Sequence, residues 1–593
     1  SPRRRRRAGA GRPSCGPPRR RPAVAAGRPA VRAPFLPGGP LALAVDGLAA
    51  PVVVTVAAAG ALVLAVAAAT VRDERPRFFG LMLLFLAAVL VTATATTLPA
   101  LLLAWEVMGA ASYALIAFRW REDAPVTAGG TAFLTTRTGD LGLYLAAGAA
   151  LAGAAGGGPA LSLDALARLP DPWRDLAAAG VLAAALGKAA QLPFSFWLSR
   201  AMLGPSPVSA LLHSAAMVAM GGYLLLRMRP LLTATGWAPE VAAWAGAVTA
   251  LLLGAVAVGL TDLKQTLAAS TSAQLGFVVL GAGAGAVAGG TAHFVAHAAV
   301  KALLFLVAGH WLAVYGTQQL DALRGAARRR PAMGVPFVAG AVTLAGVPPF
   351  SLWATKDEVL AATGSTALHA VALAASLLSA VYAGRTAGMV LRRPVRPAPA
   401  GDGRPASRGT RLLETVPPAV LAVAGAGLVV LALPPLSGWF AESVGVPGEP
   451  PVKVTALVYS GALALVLAAA AAWAAPRFRE PGWAREWLGL EAAARAVLVR
   501  PTLALARSLA RFDDAVLDRA VDAAPGAVRR LASRAAAVDR TGVDGLVRGV
   551  AAGTRRLGAL ARRPQTGQLH HYYAQAVVLL ACAAALLLLL LLR

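Results

Sequence analysis

Long apolar runs joined by short polar loops dominate the chain. About 20 consecutive apolar residues suffice to cross a bilayer, and runs of that order recur near 50–71, 79–97, 99–118, 138–156, 177–203, 206–227, 239–260, 266–287, 290–315, 333–363, 366–391, 415–436, 452–475 and 573–592. The pattern predicts an all-α polytopic membrane protein of about fourteen spans. Two stretches interrupt it at a common spacing: LPFSFW at 192–197 and PPFSLW at 348–353 share Pro, Phe, Ser and Trp in register, 156 residues apart. Proline removes a backbone donor and clashes with the preceding turn, so both spans should be broken helices. Taken as 79–227 and 239–391, the two units have five spans each, and an odd number inverts the second relative to the first. Inverted repeats with broken helices at matching positions characterise transporters.

Around this core the pattern changes. A leading span lies within 43–78, and two further spans within 415–475. Residues 477–563 alternate charged and apolar groups, with Leu505, Leu509, Phe512 and Val516 on one helical stripe. Pro501 and Pro525 interrupt that segment, which predicts several amphipathic helices along the membrane surface or a partner, followed by the final span at 573–592. Residues 1–39 are rich in Arg, Pro and Gly, contain no acid and lack the apolar core of a signal peptide. They are expected to be a disordered tail, or the artefact of a truncated or misassigned start, since the chain does not begin with Met.

Composition narrows the class. Hydrophobic residues make up 57% of the chain and charged residues 14%. The net charge of +28 does not point to nucleic acid, because the excess lies in the first 32 residues, in loops beside spans, and near the C-terminus. Such loop charge sets membrane orientation. The two cysteines, Cys15 and Cys582, fall in unlike segments with no metal-ligand spacing, so neither an iron–sulfur cluster nor zinc is expected. Lysine is scarce: of 56 basic residues only Lys188, Lys264, Lys301, Lys356 and Lys453 are lysine. Arginine anchors and orients equally well but stays charged, whereas a desolvated lysine can lose its proton. Four of the five lysines fall in or at the ends of central spans, which favours sites that must titrate.

Ionisable groups inside apolar runs carry the candidate chemistry, since each costs roughly 2.5–3.5 kcal/mol at a helix centre even on the lenient scale. In HFVAHAAVKALLF, His293, His297 and Lys301 stand one turn apart along one face. Histidine titrates near neutrality, and a lysine beside it can be loaded or unloaded by a neighbouring charge that moves. Glu106 in LLLAWEVMGAASYALIAF stands alone among apolar residues; a protonated structural carboxyl is the alternative. Lys188 precedes the first break, where unwound carbonyls could solvate an ammonium. GVLAAALGKA does not fit a phosphate-binding loop, having six residues between its glycines and Ala after the lysine. Arg137 and Asp140 in TTRTGD read as a structural i, i+3 ion pair or a relay, Asp262 and Lys264 at a helix start likewise, and His213 as a structural histidine or a proton carrier. Lys356, followed by Asp357 and Glu358, comes after the second break, on a path leading to water.

These stretches resemble the antiporter-like subunit family of respiratory complex I, NADH-quinone oxidoreductase subunit L, and its Mrp-type cation/proton antiporter relatives. The resemblance is carried by LLLAWEVMGAASYALIAF, GKAAQLPFSFWLSRAMLGPSPVSALLHSAAMV, TDLKQTLAASTSAQLGF, HFVAHAAVKALLFLVAGH, AGVPPFSLWATKDEVL and RPQTGQLHHYYA, and extends from about residue 43 to the C-terminus. It implies two inverted five-helix repeats, a Glu106–Lys188 pair, a central His293, His297 and Lys301 group, and Lys356 with Asp357 on the proton exit side. Arg137, Asp140 and Lys264 match family positions of less definite role. The family starts with two hydrophobic helices ahead of the segment near Leu43, where this chain has its Arg/Pro-rich stretch, and it carries a long helix along neighbouring subunits where 477–563 stands.

The resemblance therefore implies a proton-translocating membrane-arm subunit in a bacterial inner membrane, with other complex I membrane subunits, the lipid bilayer and protons as partners and no cofactor or metal in this chain. It would be an enzyme only as part of the translocase. A subunit of an Mrp-type antiporter or inorganic-carbon uptake complex is the alternative in the same class, and a non-transporting scaffold locked by buried charges the alternative in another.

Overall fold

A computed structural model describes residues 29–36, 39–154, 161–393 and 408–592. Helices account for nearly all of it. The exception is a hairpin in which β1 (Ala30–Leu36) pairs antiparallel with β2 (Gly39–Ala44), so the last part of the stretch expected to be a disordered tail is ordered; residues 1–28 lie outside the described residues. Thr96 and Thr97 explain the order. Thr96 N donates to Ala42 O at 3.0 Å, and the Thr97 hydroxyl donates to Pro40 O at 2.8 Å, which satisfies strand groups that water would otherwise take.

Two units compose the chain, Ser1–Ala493 and Ala494–Arg593. The first opens with α1 (Ala49–Thr70), α2 (Arg75–Thr94), α3 (Leu98–Ile116) and α4 (Asp123–Gly153). Next come α5 (Trp173–Lys188), α6 (Phe196–Ala201), α7 (Ser206–Leu212), α8 (Met217–Arg227) and the short α9 (Arg229–Thr235). The centre is α10 (Ala238–Gly259), α11 (Leu263–Ala284) and α12 (Val287–Tyr315), followed by the short α13 (Ala326–Arg329), α14 (Pro331–Ala345), α15 (Ser351–Ala361) and α16 (Thr366–Leu391). The unit closes with α17 (Arg408–Gly427), α18 (Leu436–Ser443), α19 (Val454–Ala474), α20 (Gly482–Arg485) and α21 (Leu490–Ala494) at its edge. Local chemistry sets several ends: Asp262 caps α11 by accepting from Gln265 N at 2.9 Å, and Gly285, at φ +96°, turns the chain into α12.

Among the described residues eleven helices are long and apolar enough to cross a membrane, so the expected fourteen spans are not confirmed as a count. The other three expected spans correspond to α4, which carries Arg137 and Asp140, and to the interrupted pairs α5/α6 and α14/α15. Charge and proline are what remove these three from the uninterrupted apolar class. A third interruption was not foreseen: the run 206–227 is split into α7 and α8 at His213–Ala216. There the Ser214 hydroxyl donates to the Ala210 carbonyl.

Small residues bring the key helices together, as is usual where lipid supplies no hydrophobic drive between them. At the crossing of α4 and α5, a Cβ added to Gly142 would lie 2.2 Å from Gly180 O, and one added to Gly180 would lie 2.1 Å from Gly142 O. This contact sets how far Asp140 on α4 stands from Lys188 on α5. Gly142→Ala should therefore force the helices apart and cost about 1–3 kcal/mol, seen as a lower unfolding temperature in detergent; an unchanged midpoint would refute the tight crossing.

The second unit is helical without interruption from Arg495 to Arg562. It alternates π-turns at Arg495–Val499, Asp513–Leu517 and Asp539–Val543 with α22 (Arg500–Phe512), α23 (Asp518–Val538) and α24 (Asp544–Arg562). The several separate helices expected from Pro501 and Pro525 are thus one continuous helix. Pro501 sits in the first turn after a π-turn, where a missing N–H is least costly, and Pro525 is carried inside α23. Apolar residues step by five across two π-turns, from Phe512 to Leu517 and from Val538 to Val543. The extra residue in each wide turn keeps the stripe on one face. The unit closes with α25 (Leu569–Leu591).

Candidate functional site

Four charged groups meet where α3, α4 and α5 pack. Asp140 is 2% exposed and Lys188 0%. The Lys188 ammonium donates to Asp140 Oδ2 at 2.9 Å, the Trp105 indole N–H donates to Asp140 Oδ1 at 2.6 Å, and the ammonium lies 5.1 Å from the Trp105 ring centroid. Lys188 is the last residue of α5, where the helix dipole also favours a cation. Glu106, one residue beyond Trp105, is instead paired with Arg137 and accepts from the Tyr144 hydroxyl at 3.1 Å. The side chains of this second pair are 25% and 35% exposed.

Two expectations are corrected by these contacts. Arg137 and Asp140 do not pair with each other; each faces a partner on a neighbouring helix. Glu106 and Lys188 do not pair either, because Asp140 offers the deeper ammonium a nearer carboxylate, and no unwound carbonyl solvates Lys188. The result is a buried pair and a half-exposed pair one turn apart, joined through Trp105–Glu106 on α3 and Arg137–Asp140 on α4.

The centre of the molecule belongs to α11 and α12, both almost wholly buried. His293, His297 and Lys301 are each 0% exposed. Lys301 donates to Leu267 O at 3.0 Å and to the Ser270 hydroxyl, and among the described residues no carboxylate pairs with it. The imidazoles of His293 and His297 are near-parallel at 6.5 Å between centroids. His293 Nδ1 hydrogen-bonds with the Thr355 hydroxyl at 3.0 Å. Among the described residues neither ring nitrogen of His297 nor of His213 has a hydrogen-bond partner. His213 lies in the α7–α8 interruption between Trp197 and Phe305.

Thr355 leads to the second broken helix. Its neighbour Lys356 donates to the Ser379 hydroxyl at 2.6 Å, and Asp357 accepts from the Ser460 hydroxyl. Lys264 occupies a different place, with its ammonium 3.3 Å from both Met202 O and Gly204 O. The corner between α11 and α12 is pinned from outside the spans. Arg229 donates to Ala282 O at 2.8 Å at the end of α11, while the Glu449 carboxylate accepts from Ala288 N at 2.8 Å and Gly289 N at 3.3 Å at the start of α12. Each charge complements the dipole end it meets, and burial pushes the Glu449 carboxyl above its ordinary range while those N–H donors pull it down.

Polar groups therefore run through the interior in two clusters with a join. The join is Gln191, whose side-chain amide donates to Ala189 O at 2.8 Å and to Ser272 O at 3.2 Å, tying the α5 break to α11. Trp105, Tyr144, Gln191, Ser270, Thr355, Ser379 and Ser460 were not singled out in the sequence. The signal for some of them was present, since Ser270, Ser272 and Gln274 form a polar run inside an apolar helix. For Trp105, Thr355 and Ser460 only the fold brings the partner near. Chemically the arrangement offers titratable groups in the interior, of which Lys301, His293, Lys356 and Asp357 are held by hydroxyls or a carbonyl. Among the described residues no His/Cys/Asp/Glu group could hold a metal ion.

A family described as NADH:quinone oxidoreductase/Mrp antiporter, TM, matches residues 95–381. NADH-quinone oxidoreductase subunit L of Pseudomonas aeruginosa is 33% identical over 517 residues, covering 82% of this chain and 81% of its own length. The chloroplastic NAD(P)H-quinone oxidoreductase subunit 5 of Zygnema circumcarinatum is 36% identical over 338 residues, 54% of this chain and 48% of that relative. Among solved structures, the Mrp complex of a Dietzia species superposes with a TM-score of 0.66 at 25% identity, covering 95% of this chain and 57% of that one. Respiratory complex I from Thermus thermophilus with bound NADH superposes with a TM-score of 0.60 at 23% identity, covering 74% and 89%, a likeness of fold.

Proposed function

The chain belongs to the NADH-quinone oxidoreductase subunit L family, and from that premise we propose that it moves protons across the membrane through the buried Glu, Asp, Lys and His groups of its first unit. The observation that carries the proposal is Lys301: a fully buried lysine held by Leu267 O and Ser270, with no acid partner among the described residues. An ammonium so placed bears an uncompensated desolvation cost, so a change of nearby charge is enough to alter its proton occupancy. Lys188, paired with Asp140, is the group whose charge reports on the α3–α5 cluster. A shift of that pair, transmitted from a neighbouring subunit, loads or unloads Lys301, and His297, His293 and Thr355 lead toward Lys356. Quinone chemistry takes place in other subunits, and this chain works as part of the membrane arm of the oxidoreductase, in a bacterial inner membrane.

Two measurements test the reading. Copurification with the other membrane subunits fixes the assembly in which the chain works. Proton translocation by that assembly in sealed vesicles is then compared with a Lys188→Arg variant, since arginine keeps the charge and cannot be deprotonated. The expected result is assembly with translocation by this chain reduced about tenfold or more. Undiminished translocation would sink the idea that this site releases a proton.

A further inference from the structure

The proton path as described starts in mid-membrane, and a cavity elsewhere in the first unit supplies what it lacks. The cavity, about 370 Å³, is lined by Thr70, Ser206, His310, Met333, Glu414 and Pro418 among others. Most of these lie toward helix ends on one face: the end of α1, the start of α7, the last turns of α12, the start of α14 and the first half of α17. Among the loops that join described spans, that face carries Arg72, Arg119, Arg121, Arg324, Arg328 and Arg330, whereas the opposite face carries fewer, including Arg168 and Arg229, apart from the arginines ahead of α1. Excess positive loop charge marks the cytoplasmic side. The cavity has room for roughly ten waters at about 30 Å³ each, and four polar side chains to hold them.

Two of those side chains titrate. His310 Nδ1 lies 3.5 Å from Glu414 Oε2, with the two side chains 16% and 23% exposed. The His310 Nε2 is buried with no hydrogen-bond partner among the described residues. Arg330 acts on both groups and Arg72 on Glu414; the other charges nearby belong to the arginine loops. Ser206 packs against Gly309, next to His310: a Cβ on Gly309 would meet the Ser206 Cβ at 2.4 Å. Ser206 opens α7, and α7 ends at His213, beside Ser214, whose backbone lies next to His297. That helix spans about 10 Å, too far for one hydrogen bond, so a proton passing along it needs carriers between His310 and His213.

The geometry points to this cavity as the cytoplasmic proton intake of the chain, with the His310–Glu414 pair as the group that takes a proton from cavity water and passes it inward along α7 toward His213 and Lys301. The step is a proton transfer only: water gives a proton to the pair, Nε2 of His310 gives it up on the inner side, and Glu414 holds the imidazolium while it exists. This rests on the proton-translocation reading above, and Lys301→Met separates the two.

The test uses the whole assembly in sealed vesicles. His310→Ala should slow translocation about tenfold at about pH 8, where protons are scarce, and much less at about pH 6, and added imidazole should restore much of the rate. Glu414→Gln should show the same pH dependence with a smaller loss. In a Cys15→Ser/Cys582→Ser background, Ala313→Cys on the cavity wall should react with a membrane-impermeant thiol reagent from the cytoplasmic side; this reading stands even if His310→Ala fails to assemble. Wild-type rates in both variants across that pH range, or an unreactive Ala313→Cys, overturn the intake. Full translocation by Lys301→Met instead overturns the proton path itself.

Discussion

Lys301→Met is expected to abolish translocation through this chain, by about a hundredfold, while leaving assembly and thermal stability nearly unchanged. Lys301 fills space among α11 and α12 and makes two hydrogen bonds, one to a backbone carbonyl and one to Ser270. Methionine has similar length and volume and brings no charge to bury. Exchanging a buried ion for a well-packed apolar side chain is often neutral or stabilising, so the unfolding midpoint should hold or rise. Flux in sealed vesicles, measured beside a melting curve of the same preparation, checks both halves. A scaffold locked by buried charge predicts the reverse pattern: a lower midpoint together with unchanged flux.

Asp140→Asn is expected to be the most destabilising of the charge-removing substitutions, by about 3–5 kcal/mol. It leaves the Lys188 ammonium at 0% exposure facing an amide and the Trp105 ring, with no counter-charge. Glu106→Gln should cost about 1 kcal/mol or less, because Arg137 is 35% exposed and water can replace the lost partner. The double variant Asp140→Asn/Lys188→Met should recover most of the single-variant loss, because both charges are then gone. Denaturation midpoints of the three variants decide the matter. Equal losses from Glu106→Gln and Asp140→Asn would show that Lys188 shares its charge with both acids.

The contrast between those two acids shows what was readable in advance. Glu106, Asp140 and Lys188 stand out because ionised groups are costly in apolar runs, and each proved to be in or beside the cluster. Which acid meets Lys188 depends on the close approach of α4 and α5 at Gly142 and Gly180, a distance that no spacing along the chain encodes. The three expected spans that are not uninterrupted apolar helices are those carrying charges or prolines within their runs. The split at His213 was hidden because no Pro or Gly marks it in SALLHSAAMV. In the second unit the prolines suggested breaks, while the five-residue steps at Phe512–Leu517 and Val538–Val543 already recorded how the helix would absorb them.

Those wide turns make the long helix tolerant of its own length. An ordinary α-helix turns 100° per residue, so an apolar line repeating every seven residues drifts by about 20° per repeat and slides off the surface it should meet. Each π-turn resets that drift, as a leap day resets a calendar. The helix between Arg495 and Arg562 thereby keeps a single docking line over a distance on the order of 100 Å without coiling around a partner. Removing the extra residue from one wide turn would restore an ordinary α-turn there, and the drift it absorbs would carry the apolar line on past it.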